Sequence, residues 1–409
     1  MATLKNQLEN EADHLIQLYT PKRVSIENIS QISEQARLML EDVRDSMLQP
    51  HPRKNPPVYS GTQLAALCGI DRKRQQYLAS RGDLPSGEMV KNRRLFSLQD
   101  VRQWVAHEAN IPARPKGAKG KKIAVANFKG GVSKTTTTLT LAQGLSLRGR
   151  RCLVIDIDPQ ASLTTLFGIL PESEVDKADD TILPVIYGTE PDLRYAIRKT
   201  YWDGIDLVPS HIGISDAEFF LPNEQAKALQ EKRPFEFWNA LNKGLEPLLD
   251  EYDVILFDTP PALSYTTINA LMAADGLIVP TPPNALDYAS STQFWSLFSD
   301  FTTSVSANNR VHKSFDFVNV LLTKVEEKKV ATSIVREWIR QTYGDKVLPV
   351  EIPDTTVTSN AAAEFGTVYD ISRYEGSLKT YLRAREAYDK FAEIIDLQLL
   401  ALWLSSNKD

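Results

Sequence analysis

Cysteine is almost missing from this sequence: Cys68 and Cys152 are the two among 409 residues. Two thiols cannot make a disulfide framework, and neither has a second cysteine or a histidine at metal-ligand spacing. Both lie in apolar settings and read as small buried residues. Long apolar runs are also lacking. None approaches the roughly 18–20 residues that a membrane-spanning helix needs, and the N-terminus carries no signal-peptide pattern. The expected location is the cytoplasm, with no membrane partner. A strong overall charge is absent as well, the formal net charge being −5. With 42% apolar and 9% aromatic content, the chain can bury two or three sizeable cores.

The charge is unevenly spread. Residues 53–119 hold 13 Lys and Arg against 5 Asp and Glu, whereas residues 120–409 hold 29 against 39. A local excess of +8 on an otherwise acidic chain is the electrostatic footprint of a nucleic-acid module.

The most informative stretch is Ile123–Thr138. The apolar run Ile123–Phe128 reads as a buried parallel strand. Gly130 and Gly131 break it, and from Lys134 a helix begins with Leu139, Ala142 and Leu145 on one face. Strand, glycine turn and helix N-terminus together form an anion site, because loop N–H groups and the helix dipole converge there. Lys129, Gly130, Gly131, Val132, Ser133, Lys134, Thr135 and Thr136 are the expected phosphate-binding residues. Lys134 reaches the outer phosphates of ATP or ADP, and the Thr135 hydroxyl is a ligand for Mg²⁺. Two further apolar strands end in acids. Cys152–Ile155 leads to Asp156 and Asp158, and Val254–Phe257 leads to Asp258. In an open parallel sheet, ligands sit at the carboxyl ends of the strands, so these acids meet the phosphates. Asp156 and Asp258 are the expected metal-side carboxylates, holding Mg²⁺ through its bound water.

Residues 1–50 read as polar helices. Leu4, Leu8, Leu15 and Leu18 give a weak stripe. A second helix, capped by Ser25, carries Ile26, Ile29, Ile32, Ala36, Leu40, Val43 and Met47, a stripe suited to self-association. Gln49–Pro57 is a breaker. Residues 51–112 read as a winged helix-turn-helix. Ser60 caps one helix, Gly69-Ile70 turns, and Asp71 caps a second helix, Arg72–Ser80, with Tyr77 and Leu78 as its apolar anchors. Its exposed face is expected to present Arg72, Lys73, Arg74, Gln75 and Gln76 to base edges. Glu88–Phe96 forms a hairpin wing that aims Lys91, Arg93 and Arg94 at phosphates, and Ser97 caps a closing helix with Val101 and Trp104. Residues 113–122 are a basic linker and 123–409 the nucleotide domain. Gly276–Pro280, Phe317–Thr323 and Val347–Ile352 are further strands, and Leu378–Leu404 is a long C-terminal helix. The fold class is α/β, a doubly wound, mostly parallel sheet preceded by a helical segment and the winged module. Lys324, Lys328, Lys329, Arg336 and Arg340 form a basic cluster that is a candidate surface for nonspecific DNA.

Lys129-Gly-Gly-Val-Ser-Lys-Thr135 resembles the deviant Walker A box of the ParA/MinD ATPases, Asp156–Gln160 their switch I, and Asp258–Pro261 their Walker B and switch II. The segment Arg93–Val101 resembles the wing-to-helix stretch of MerR-like domains. The layout resembles the larger ParA-type plasmid partition ATPases, which have an N-terminal operator-binding domain. That resemblance implies a set of roles. Lys129 acts across a homodimer on the partner's nucleotide, and Asp158 is needed for hydrolysis, so Lys129, Lys134 and Asp158 are the catalytic set. Loops after the last two strands flank the adenine, nominating Lys324, Pro353 and Asp354. It also implies ATP-dependent binding to nonspecific DNA, stimulation by a ParB-type centromere-binding partner, autorepression, and association with the nucleoid. A glycine more usual at position 133 is replaced by Ser133. A nucleotide-responsive transcriptional repressor without a transport role is the alternative. A MinD-like membrane regulator would leave residues 59–107 unexplained, and a metal-cluster or metalloid-pump ATPase would need paired cysteines.

Overall fold

The computed structural model describes residues 24–48, 54–176, 179–309, 312–357, 366–371 and 376–406. The Leu4–Leu18 stripe and the breaker residues 49–53 lie outside the described residues. The chain divides into two compact units, Met1–Pro52 and Arg53–Asp409.

In the first unit, Ile26–Leu48 is one helix. The Ser25 hydroxyl accepts from the Asn28 N–H at 3.2 Å, the expected cap. Arg37 bridges Glu34 and Glu41 along one face. Ile26, Ile29 and Ile32 are exposed.

The second unit opens with a small helical module. Its strands are β1 (Tyr59–Ser60), β2 (Glu88–Val90) and β3 (Arg93–Phe96), paired antiparallel in the order β1-β3-β2. Between β1 and β2 lie two short helices, Gly61–Cys68 and Arg72–Arg81, and after β3 comes Leu98–Glu108. The three caps expected from sequence are present. Ser60 and Ser97 form capping boxes with Gln63 and Asp100, and Asp71 accepts from the Arg74 N–H at 2.7 Å. Lys91 and Asn92 both take positive φ, 44° and 62°, so the β2–β3 hairpin turns in two residues. Phe96, Val101 and Trp104 fill the module's core, with Phe96 edge-on to Trp104. Cys68 and Cys152 are free and buried, as expected.

The large sheet has eight strands. They are β4 (Lys121–Val125), β5 (Cys152–Asp156), β6 (Arg198–Lys199), β7 (Ile205–Val208), β8 (Val254–Asp258), β9 (Gly276–Thr281), β10 (Phe317–Val325) and β11 (Val347–Pro353). Their order is β11-β10-β9-β4-β8-β5-β7-β6. Every pairing is parallel except β6 with β7. This is the doubly wound, mostly parallel sheet that the alternation of strands and helices predicts. β5 and β8 are fully buried, which is why they read as unbroken apolar runs.

The helix Lys134–Leu147 departs from the expected one-sided pattern. Thr137 through Leu147 are all buried. The C-terminal helix Leu378–Ser406 covers its outer face so closely that a Cβ on Gly144 would lie 2.5 Å from Ala392 Cβ. The small module is bonded to the same region. Arg102 donates to the Ser146 and Arg150 carbonyls at 3.0 and 2.9 Å and pairs with Asp203. Lys54 pairs with Asp370 at 2.9 Å, both side chains about one-tenth exposed. Among the described residues, no helix is long and apolar enough to cross a membrane.

Candidate functional site

The strand order places β4 centrally, with β8 on one side and β9 on the other. Register then fixes the acids. Val125 at the end of β4 pairs with Asp258, and Asp258 pairs with Asp156 on β5. The loop after β4 therefore lies beside both carboxylates. Gly131 takes φ 75° and Ser133 φ 73°, so the loop turns twice through the left-handed region before the helix starts at Lys134. That explains why glycine suits position 133: a serine there carries a Cβ penalty of about 1–2 kcal/mol. Thr323 ties the loop down by donating to the Val132 carbonyl at 3.1 Å.

Lys134 curls back and donates to the Lys129 carbonyl at 3.0 Å. Burial pushes its ammonium pKa down, opposed by Asp258 and Asp158. A phosphate in the loop would restore the missing counter-charge. Asp258 is fully buried, and burial pushes its carboxyl well above the usual range, with Asp156 adding to the effect and a Thr135 hydrogen bond and Lys134 opposing it. Thr138 donates to Asp258 Oδ1 at 3.3 Å, while Asp258 Oδ2 is buried with no hydrogen-bond partner. An orphaned carboxylate oxygen next to a Thr135 hydroxyl fits a divalent cation. Asp156 differs. Its Oδ2 accepts from the Thr164 N–H at 2.9 Å and the Thr164 hydroxyl at 2.7 Å, and its Oδ1 from the Asp158 N–H at 3.2 Å. Burial still pushes it up, to about 7. Asp156 thereby anchors the loop that carries Asp158. Asp158 is itself nearly buried, and its carbonyl is held by the Ser210 hydroxyl at 2.7 Å.

Lys129 does not point into the loop. Its Nζ pairs with Asp287 at 2.7 Å. Lys129, Gly130, Gly131, Lys324 and Asp354 line one cavity of about 440 Å³ together with Asp287, Pro282 and Pro283. Lys324 and Asp354, nominated beside the base, thus open onto the phosphate loop, while Pro353 ends β11 opposite Val325. Thr136 sits half-buried in the first turn of the helix after the loop. Thr164, Ser210 and Asp287 were not singled out from sequence. Thr164 and Asp287 each lie in the first turn of a helix that follows an acid- or proline-bearing strand end, the pattern that could have raised them.

The small module corrects two sequence expectations. Gln75 is 1% exposed and faces the core, so it cannot present to a base edge. Tyr77, expected as an anchor, is 58% exposed. The core instead takes Gln75, Leu78 and Ala79, at steps of three and four. Arg72 donates to the Gln75 side chain, and Arg74 pairs with the buried Glu108 at 2.7 Å. Lys73, Lys91, Arg93 and Arg94 are exposed as expected. In the basic cluster of the large sheet, Arg336 and Arg340 both pair with Glu351 and Lys329 pairs with Glu326, so much of its charge is internally balanced.

A parallel sheet with a glycine loop between β4 and a helix, flanked by strand-end aspartates, defines a P-loop nucleotide-binding protein. Residues 120–313 match a family model described as an AAA domain. The protein SopA of Escherichia coli is 31% identical over 329 residues, covering 78% of this chain and 82% of SopA. The chain belongs to the ParA-type plasmid partition ATPases. Among solved structures, one described as a partition protein covers 90% of this chain and 96% of its own at 20% identity and a TM-score of 0.62, a likeness of fold. Cobyrinic acid a,c-diamide synthase from Mycobacterium smegmatis, solved with a bound ATP analogue and magnesium, is 28% identical, covers 67% of this chain and 93% of its own, and has a TM-score of 0.51.

Proposed function

We propose that this chain is a Mg·ATP-hydrolysing DNA partition protein of the cytoplasm, associated with the nucleoid. It works as a homodimer, binds nonspecific DNA in its ATP form, is stimulated by a ParB-type centromere-binding partner, and represses its own operon through its N-terminal module, residues 51–112. The carrying observation is the convergence of β4, β5 and β8, which sets Lys134, Asp158 and Asp258 around one loop.

Each residue has a role. The loop N–H groups of Gly130 to Thr136 cradle the phosphates, and Lys134 leaves the Lys129 carbonyl to meet them. The Thr135 hydroxyl and Asp258 Oδ2 would hold Mg²⁺, which neutralises charge on the phosphates when bound. Asp156, held by Thr164, accepts from the Asp158 N–H and positions Asp158, and Asp158 orients the attacking water. Lys129 exchanges Asp287 for a phosphate oxygen of the partner's nucleotide. Lys324 and Asp354 border the nucleotide. The exposed cations Lys73, Lys91, Arg93 and Arg94 support a winged DNA-binding module.

The test is nucleotide binding and turnover by the full chain. Lys134→Ala is expected to lose ATP binding. Asp158→Ala is expected to retain binding and lose hydrolysis. Unchanged turnover in both would refute the site.

A further inference from the structure

The helix Arg72–Arg81 carries four cations and no acid, yet of the side chains nominated to read DNA, Gln75 is buried, Arg72 is half-buried, and both Arg72 and Arg74 are bonded within the module. The Arg72 guanidinium lies against the preceding helix, where a Cβ on Gly61 would meet its Nη1 at 1.5 Å, and it donates to Gln75. Arg74, although exposed, pairs with the buried Glu108. These three residues hold the module together. Apart from Arg74 and Arg81, which are exposed but ion-paired, the solvent-facing residues are Lys73, Gln76, Tyr77 and Ser80, at steps of three and four along one side. Tyr77 is the largest of these, 58% exposed. Arg81 rests its guanidinium 5.6 Å from the Tyr77 ring centroid and donates to the phenol oxygen at 3.3 Å, while Asp83 holds Arg81 from the other side at 2.9 Å. The ring is therefore steadied in an exposed position.

We propose that Tyr77 is the base-reading residue of this helix, flanked by Lys73 and Gln76, and that Arg72, Arg74 and Gln75 are positioning residues. This rests on the DNA-binding reading of the module. Charge complementarity names duplex DNA as the occupant: the helix has no acid, and the neighbouring hairpin exposes Lys91, Arg93 and Arg94. A phenol both donates and accepts, and its ring edge packs on a thymine methyl. Its donor, acceptor and methyl-packing edge are held on one rigid ring.

The experiment uses the full chain with Mg·ADP and a random-sequence duplex library. The wild type is expected to enrich a defined sequence. On that duplex, Tyr77→Ala loses affinity by roughly five- to hundred-fold, as a single base contact does. Reselection with Tyr77→Ala then changes the preferred bases at one or two positions. Lys91→Ala weakens the selected and random duplexes alike and flattens the salt dependence. Arg74→Ala lowers the melting temperature, whereas Tyr77→Ala leaves it unchanged. Tyr77→Ala that keeps the wild-type sequence preference and affinity overturns the assignment, as does a loss equal on selected and random DNA. A wild type that enriches no sequence overturns the operator-binding reading itself, and this assignment with it.

Discussion

Breaking the buried pair of Lys54 and Asp370 should cost different amounts from its two ends. Lys54 Nζ touches Asp370 Oδ2 at 2.9 Å, the Tyr201 hydroxyl at 2.9 Å and the Leu166 carbonyl at 3.2 Å. Asp370 also accepts from the Tyr201 O–H at 2.6 Å and the Thr367 N–H at 2.7 Å. Burial pushes the Lys54 pKa down even with the carboxylate beside it, so Asp370 is what keeps the ammonium tolerable. Asp370→Ala strands a buried cation on neutral acceptors, which costs about 3–5 kcal/mol. Lys54→Met leaves a carboxylate that still has its O–H and N–H donors, and costs about 2 kcal/mol. The double variant should cost less than the sum, with a coupling of about 1–3 kcal/mol. Urea unfolding followed by tryptophan fluorescence reads this, because Trp202 packs edge-on against Tyr201 and Tyr369. Equal single costs that add without coupling would refute the argument.

Asp258→Asn removes a buried, partly orphaned carboxylate, so it should raise the melting temperature without nucleotide and abolish the further stabilisation by Mg·ADP. A variant still stabilised by Mg·ADP would exclude Asp258 from the metal. Ser133→Gly relieves about 1–2 kcal/mol of left-handed strain but gives back about 0.5–1 kcal/mol of chain entropy, so the urea midpoint should rise slightly; a clear fall would mean that the serine makes a needed contact. Burial holds Lys313 down at about 8, its ammonium donating to the Met272 and Ala274 carbonyls. The folded chain then binds fewer protons than the unfolded one between pH 8 and the ordinary lysine value of 10.5. Stability relative to Lys313→Met should therefore rise across that window and be lowest below pH 8. Parallel pH curves for the two chains would contradict this.

The phosphate loop and the strand-end acids were legible because buried parallel strands write themselves as unbroken apolar runs, and the chemistry begins where the run stops. Tyr77 and Gln75 run against the sequence expectation because side-chain polarity does not fix which way a helical residue faces. The core follows the helical step from Leu78 and Ala79 back to Gln75, and Arg72 satisfies the amide that is buried as a result. The helix Lys134–Leu147 looked one-sided because its second cover, the C-terminal helix, is far away in sequence. Lys129 with Asp287, and Asp156 with Thr164, could not be read as pairs, since loop and sheet geometry alone brings them together.

The most direct test of the account is binding of the full chain to random-sequence duplex DNA with Mg·ATP, with Mg·ADP and without nucleotide, across a salt series. Binding is expected to appear with Mg·ATP alone and to fall steeply as salt rises, as phosphate contacts require. Binding indifferent to nucleotide would contradict it.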